Sequence, residues 1–123
     1  MKILVTGGLG HIGSDFIRKI NNKKNIKNIY IVDNLSTQRY FSLFNISKKK
    51  IIFINSNVIS KEFKKYLKLS DIVIHLAAQT DATASLSRPN EVFNNNFKST
   101  KLVADEVFKL NKKLIFISST SIY

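Results

Sequence analysis

The sequence predicts an α/β protein built on a doubly wound parallel sheet of five strands in the order 3-2-1-4-5. Three observations carry this reading. Short apolar runs alternate along the chain with segments of helical periodicity, as in a parallel sheet joined by helical crossovers. The strand candidates are continuous Ile, Leu and Val runs, so both faces of the sheet are covered. All four glycines, Gly7, Gly8, Gly10 and Gly13, fall in the turn from the first apolar run into the first helical segment.

Lys2–Thr6 is the first strand. A helix follows over about residues 10–20, with Ile12, Phe16, Ile17 and Ile20 on one face. The polar stretch 21–25 ends it, and Asn28–Asp33 is the second strand. Within residues 34–50, the side chains of Tyr40, Phe41, Leu43, Phe44 and Ile46 predict a short helix or a packed loop. Residues 51–54 read as a third buried strand. Ser60 suits the N-cap of a helix carrying Phe63, Tyr66 and Leu67 at helical spacing. Residues 71–76 form the fourth strand. Pro89 fits a first helical turn, and the helix it opens should run to about residue 110, with Phe93, Phe97, Ala104 and Val107 or Phe108 along one face. Residues 114–117 are the fifth strand. Residues 1–123 read as one domain without internal linker or repeat, and the sheet is expected to be incomplete at its C-terminal side, since a doubly wound domain would continue.

Composition narrows the function classes. A hydrophobic fraction of 44% supports a packed core. No apolar run reaches membrane-spanning length, and the first one is too short for a signal peptide before the glycines interrupt it. Cysteine is absent, and His11 and His75 have no paired spacing, so neither a disulfide nor a metal site is expected. A cytoplasmic protein fits. The net charge of +12 is carried almost entirely by lysine, in a chain also rich in asparagine and isoleucine. These residues share A/T-rich codons, so base composition accounts for much of the excess. Nucleic-acid sites use arginine forks and exposed aromatics, and neither is clustered here. No specific nucleic-acid partner and no membrane partner is expected. The runs Lys23-Lys24, Lys48-Lys49-Lys50 and Lys112-Lys113 should decorate loops before strands.

The glycine spacing Gly7-x-x-Gly10-x-x-Gly13 carries the chemistry. Between a strand and a helix, it lets backbone approach a pyrophosphate and sets the phosphate charge at a helix N-terminus. A tight turn without a ligand is the competing reading. Asp33, twenty positions beyond Gly13 at the end of the second strand, favours the dinucleotide, because an acid there can accept hydrogen bonds from ribose hydroxyls.

Four segments then align: TGGLGHIG at residues 6–13, VDNLS at 32–36, HLAAQ at 75–79 and SSTSIY at 118–123. In this order and at these separations they resemble the extended short-chain dehydrogenase/reductase family, within it the NAD-dependent nucleotide-sugar epimerases and dehydratases. The resemblance implies a Rossmann-like fold and NAD as cofactor. It implies that Gly7, Gly10, His11, Ile12 and Gly13 bind the pyrophosphate. Asp33, with Asn34, Ser36 and Thr37, would hold the adenosine ribose, and its charge favours NAD over the 2′-phosphorylated NADP. Asn57 and Val58 stand where the family has an acid and an aliphatic residue near the adenine. Leu76, Ala77, Ala78 and Gln79 would pass beneath the nicotinamide ribose. Asn96 resembles the asparagine that supports the cofactor site in the family's NVxGT segment, whose usual glycine is Ser99 here. Ser118 would also border the cofactor.

For catalysis, the resemblance assigns Ser119 to hydrogen-bond the sugar oxygen being oxidised and Ser85 to the substrate side. Tyr123 occupies a structural position; the family's catalytic Tyr-x-x-x-Lys pair comes from later chain. The implied function is the N-terminal, NAD-binding part of a nucleotide-sugar epimerase, inactive alone and a homodimer at full length, with the substrate domain absent. Dehydratases of the family often carry Asp-Glu where this chain has Thr120-Ser121, which favours epimerisation. A 4,6-dehydratase is the alternative within the family; a non-catalytic NAD-binding or redox-sensing module is the alternative outside it. His75 reads as a packed histidine, and Gln79 and Asn96 also read as buried amides that satisfy backbone.

Overall fold

A computed structural model describes residues 1–80 and 86–118. Its elements are β1 (Lys2–Thr6), α1 (His11–Asn21), β2 (Asn28–Asp33), a 3-10 turn (Tyr40–Leu43), β3 (Ile51–Asn55), α2 (Lys61–Leu69), β4 (Ile72–His75), α3 (Pro89–Phe93), a π turn (Asn94–Lys98), α4 (Ser99–Lys109) and β5 (Lys113–Phe116). The five strands form one parallel sheet in the order β3-β2-β1-β4-β5, as the sequence predicts.

Strand side chains alternate between two cores. Ile3, Val5, Ile29, Ile31 and Ile74 pack on the α1 side with Leu9 and Ile17. Leu4, Tyr30, Val32 and Val73 pack on the other side, against Phe63 and Leu67 of α2 and Val103 and Val107 of α4. The continuous apolar runs therefore reflect a sheet buried on both faces. Ser60 caps α2 as expected: its Oγ accepts the Phe63 N–H at 3.0 Å.

Four local expectations are corrected. Ile12 is exposed rather than part of the α1 core face, because it sits in the first turn, beyond the end of the sheet. β3 is the outer strand and only Ile54 in it is buried, since nothing pairs with its far edge among the described residues. The helix from Pro89 is interrupted by the π turn, which rotates the following face. Val107 points inward as expected, together with Val103, while Phe93, Phe97 and Phe108 are exposed. Finally, β5 begins one residue earlier and ends one residue earlier than the apolar run.

A parallel sheet puts the C-terminal ends of all its strands on one side. The register aligns Thr6 of β1 with Val32 of β2 and with His75 of β4, and Asp33 with Asn55 of β3. The order reverses between β1 and β4, leaving a crevice above their ends. Three lysine runs precede β2, β3 and β5 and so lie at the opposite end, as the sequence places them.

Candidate dinucleotide site

The glycine turn connects β1 to α1 at this crevice. Gly7 has φ +64°, and a Cβ there would lie 2.7 Å from both Cα and N of Ala77. Only glycine allows β1 to leave the sheet this close to the chain after β4. A Cβ on Gly13 would meet Gly8 Cα at 2.7 Å, so Gly13 lets α1 rest on the turn. Gly10 differs: a Cβ there meets only the Gly7 carbonyl, at 3.3 Å. Its bare face opens outward, at the N-cap of α1.

That helix end is electrostatically uncompensated. Gly10 provides no side-chain cap and no acid stands in the first turn. Among the described residues, no acceptor meets the backbone N–H groups of His11, Ile12 and Gly13. Converging donors at the positive end of a helix dipole form an anion cradle. Such a cradle fits the pyrophosphate of a dinucleotide.

Asp33 stands beside it, half-buried at the end of β2. One carboxylate oxygen accepts the Leu9 N–H at 3.1 Å and the other accepts the Leu35 N–H at 3.0 Å. The acid thus braces the glycine turn and the loop after β2 while keeping free lone pairs toward the crevice. The second bond sits with Leu35 in the left-handed region, φ 59°. Asn34 and Asn57 meet next to it: Asn34 Nδ2 donates to Asn57 Oδ1 at 2.9 Å. Val58 is buried beneath, while Ser36 and Thr37 are exposed on the loop.

On the other side of the crevice, Thr6 organises the start of the HLAAQ segment. Its Oγ1 accepts the N–H groups of Leu76 at 3.2 Å and Ala77 at 3.3 Å. Both lone pairs are then used, so the Thr6 hydroxyl donates its proton to His75 Nδ1, 2.6 Å away. His75 Nε2 consequently carries the proton and donates to Thr100 Oγ1 at 3.0 Å. The imidazole is buried and stacks on Phe116 with ring centroids 6.0 Å apart. Burial lowers its pKa from 6.5 to about 4. His75 is therefore a neutral structural link, in keeping with its reading as a packed histidine.

Asn96 clamps the far end of the segment. Its Oδ1 accepts the Gln79 N–H at 2.7 Å and its Nδ2 donates to the Gln79 carbonyl at 2.9 Å. Asn95 Nδ2 adds a bond to Gln79 Oε1 at 3.1 Å. The two asparagines sit in the π turn, a helical irregularity that often serves a site, and the Ser99 hydroxyl bonds back to the Asn95 carbonyl. A cleft of about 150 Å³ opens here, lined by Ala77, Ala78, Asn96, Phe116 and Ile117 among others. Ser118 follows, exposed at the exit of β5. Ser85 and Ser119 lie outside the described residues.

The fold therefore brings Gly7, Gly10, His11, Ile12, Gly13, Asp33, Asn34 and Asn57 to one half of the crevice, and Leu76 to Gln79 with Asn96 to the other. Sequence reading missed Thr6 and Thr100 as the partners of His75, and the pairing of Asn34 with Asn57. A hydroxyl ending an otherwise apolar strand was the available signal for Thr6; the other two become visible only once the loops are folded. A larger groove of about 370 Å³, lined by Phe16, Ile20, Ile72 and Ile115, is apolar and lies on the α1 face, away from these groups. Among the described residues no helix is long and apolar enough to cross a membrane, and no cluster of acids and histidines is suited to a metal.

Comparison with known proteins gives the family. The family model for the NAD dependent epimerase/dehydratase family matches residues 3–123. UDP-glucose 4-epimerase of Yersinia enterocolitica is 32% identical over 130 residues, covering 100% of this chain and 38% of that protein. dTDP-D-glucose 4,6-dehydratase of Dictyostelium discoideum is 30% identical, covering 99% of this chain and 30% of that protein. In structure, UDP-N-acetylglucosamine 4-epimerase from Methanobrevibacter ruminantium M1, in complex with UDP-N-acetylmuramic acid, superposes with a TM-score of 0.87 at 31% identity, over 99% of this chain and 39% of that one. The chain thus spans well under half the length of these relatives. With its glycine turn, its acid after β2 and its sheet order all in place, the chain belongs to the NAD-dependent epimerase/dehydratase family.

Proposed function

We propose that the chain is the NAD-binding domain of a nucleotide-sugar epimerase acting by transient oxidation of a sugar hydroxyl. The observation that carries the cofactor half is the uncapped N-terminus of α1 beside Asp33. The N–H groups of His11, Ile12 and Gly13, with Gly7 and Gly10 giving access, hold the pyrophosphate. Asp33 accepts from the adenosine ribose hydroxyls, with Asn34, Ser36 and Thr37 around it and Asn57 and Val58 toward the base. Its charge opposes a 2′-phosphate, so NAD is preferred over NADP. Leu76, Ala77, Ala78 and Gln79, held by Thr6, His75 and Asn96, form the floor of the nicotinamide half, which Ser118 borders. When bound, NAD supplies a hydride acceptor and donor to the sugar carbon. Ser119 orients the reacting hydroxyl and Ser85 contacts the substrate. A Tyr-x-x-x-Lys pair outside these 123 residues removes the hydroxyl proton, and a further domain there holds the sugar nucleotide. The enzyme is cytoplasmic and dimeric.

The epimerase half rests on similarity to UDP-sugar 4-epimerases and on Thr120-Ser121, which offer no acid pair for water elimination. Two measurements test the proposal. Isothermal titration should give micromolar NAD⁺ binding and much weaker NADP⁺ binding; equal or tighter NADP⁺ binding refutes the cofactor assignment. Product analysis with UDP-sugars on a full-length protein carrying this domain should give the C4 epimer, and a dehydrated 4-keto sugar refutes the epimerase assignment.

A further inference from the structure

The end of the sheet opposite the crevice carries a feature that cofactor binding does not use. Every strand starts there, and a lysine stands at each start. Lys2 opens β1 and Lys113 opens β5, while Lys27 directly precedes β2 and Lys50 directly precedes β3. Lys68, in the last turn of α2, lies on the approach to β4. The remaining residues of the three lysine runs fill the loops between. Base composition accounts for the number of lysines in the chain, but not for their gathering at one end.

The acids are placed elsewhere. Every ion pair among the described residues takes its acid from a helix, as in Asp15 with Lys19 on α1 and Asp105 with Lys101 on α4. Among the described residues Asp71 is the one acid at the strand starts, and its Oδ2 accepts the backbone N–H of Lys2 at 2.7 Å. Lys50 and Lys112 donate to the carbonyls of Lys23 and Lys68, at 2.9 Å and 3.3 Å. These bonds tie neighbouring loops together and cancel no charge. With neighbouring strands roughly 4.8 Å apart, the five starts form a row of positive charge about 19 Å long.

We propose that this lysine rim is a docking surface for the phosphodiester backbone of duplex nucleic acid, held without readout of the bases. One strand of a duplex places a phosphate about every 3.4 Å, so the rim spans about five or six of them. Lysine supplies mobile point charges that suit phosphate oxygens and lacks the planar fork that reads base edges, so the contact is independent of sequence. A second copy of the chain is repelled by its own charge of +12. A line of charge also fits a linear polyanion better than the plane of a lipid surface.

The test is fluorescence anisotropy of a labelled mixed-sequence duplex titrated with the full chain between about 50 and 200 mM salt. The logarithm of the affinity should fall linearly with the logarithm of the salt concentration, with a slope of about −4 to −5. Lys23→Gln, Lys24→Gln and Lys49→Gln together should flatten that slope by about 2–3 and weaken binding at least about tenfold at the lowest salt. The side chains of these three make no hydrogen bond or ion pair among the described residues, so the melting temperature should not move. Lys61→Gln, Lys65→Gln and Lys98→Gln together remove the same charge away from the rim and should change the slope by less than about 1. Equal losses in the two triple variants overturn the proposal, as does the absence of binding at about 50 mM salt. Displacement of the duplex by NAD⁺ would put the contact at the crevice and overturn it too. Tighter binding to phosphatidylserine vesicles than to the duplex, at equal phosphate concentration, would assign the rim to a membrane surface instead.

Discussion

Lowering the pH should destabilise this domain through a single buried imidazole. In the folded chain His75 resists protonation down to about pH 4, whereas an unfolded histidine titrates near 6.5. Between those values the unfolded state binds a proton that the folded state refuses, so stability is full above 6.5 and falls as pH falls toward 4. The cause is burial of the ring, which penalises its charged form, and the site offers the extra proton no partner. A proton added at Nδ1 would face the Thr6 oxygen, whose two lone pairs already accept the Leu76 and Ala77 N–H groups. Over the whole window the loss is about 3 kcal/mol, and about 2 kcal/mol of it falls between pH 7.5 and pH 5. That interval lies above the ordinary titration range of carboxylates, which keeps Asp and Glu largely out of the measurement. Urea unfolding followed by far-UV circular dichroism at several pH values gives the slope directly. His75→Asn, whose Oδ1 can still accept from Thr6, should be less stable at pH 7.5 but lose the pH dependence; His11→Asn, at an exposed position, should keep it. A flat profile in the unsubstituted chain, or an equal slope in His75→Asn, would refute the reasoning.

Other outcomes follow from the same packing. Gly10→Ala should leave the melting temperature within a few degrees, because its Cβ meets only one carbonyl at 3.3 Å, yet weaken NAD⁺ binding at least about tenfold by filling the outward face of the cradle. Gly13→Ala should cost about 1–3 kcal/mol or more in chemical denaturation, since its Cβ would collide with Gly8 backbone at 2.7 Å; a thermal melt like that of the unsubstituted chain would contradict this. Phe63→Ala, removing the largest fully buried side chain among the described residues, should cost about 3–5 kcal/mol, and a denaturation midpoint shift corresponding to less than about 1 kcal/mol would show that the α2 face is not part of the core as described.

The sheet order, the glycine turn and the acid after β2 were legible because each depends on local rules. Apolar runs of strand length, glycines where backbone must bend and approach closely, and an acid at a fixed offset all leave marks in neighbouring residues. Predicted helix faces were less reliable. Periodicity from Pro89 onward assumed 3.6 residues per turn throughout; beyond the π turn Val107 is buried as expected, with Val103 beside it, whereas Phe93 and Phe97 face outward. Ile12 satisfied the apolar period of α1 and still faces outward, since helical phase carries no information about where the sheet ends.

By itself, then, the sequence determined which backbone can pass near a phosphate and which strand ends in a carboxylate, because glycine geometry and residue charge are properties of single positions. Tertiary structure alone decided what those groups do to one another. It turned Asp33 into a brace between two loops, and it locked His75 as a neutral link by surrounding it with two hydroxyls from β1 and α4. It also aimed the Asn57 amide through a bond to a loop twenty-three residues earlier. Hydrogen-bond direction depends on which partners have already spent their donors and lone pairs, and that account closes only when distant segments meet.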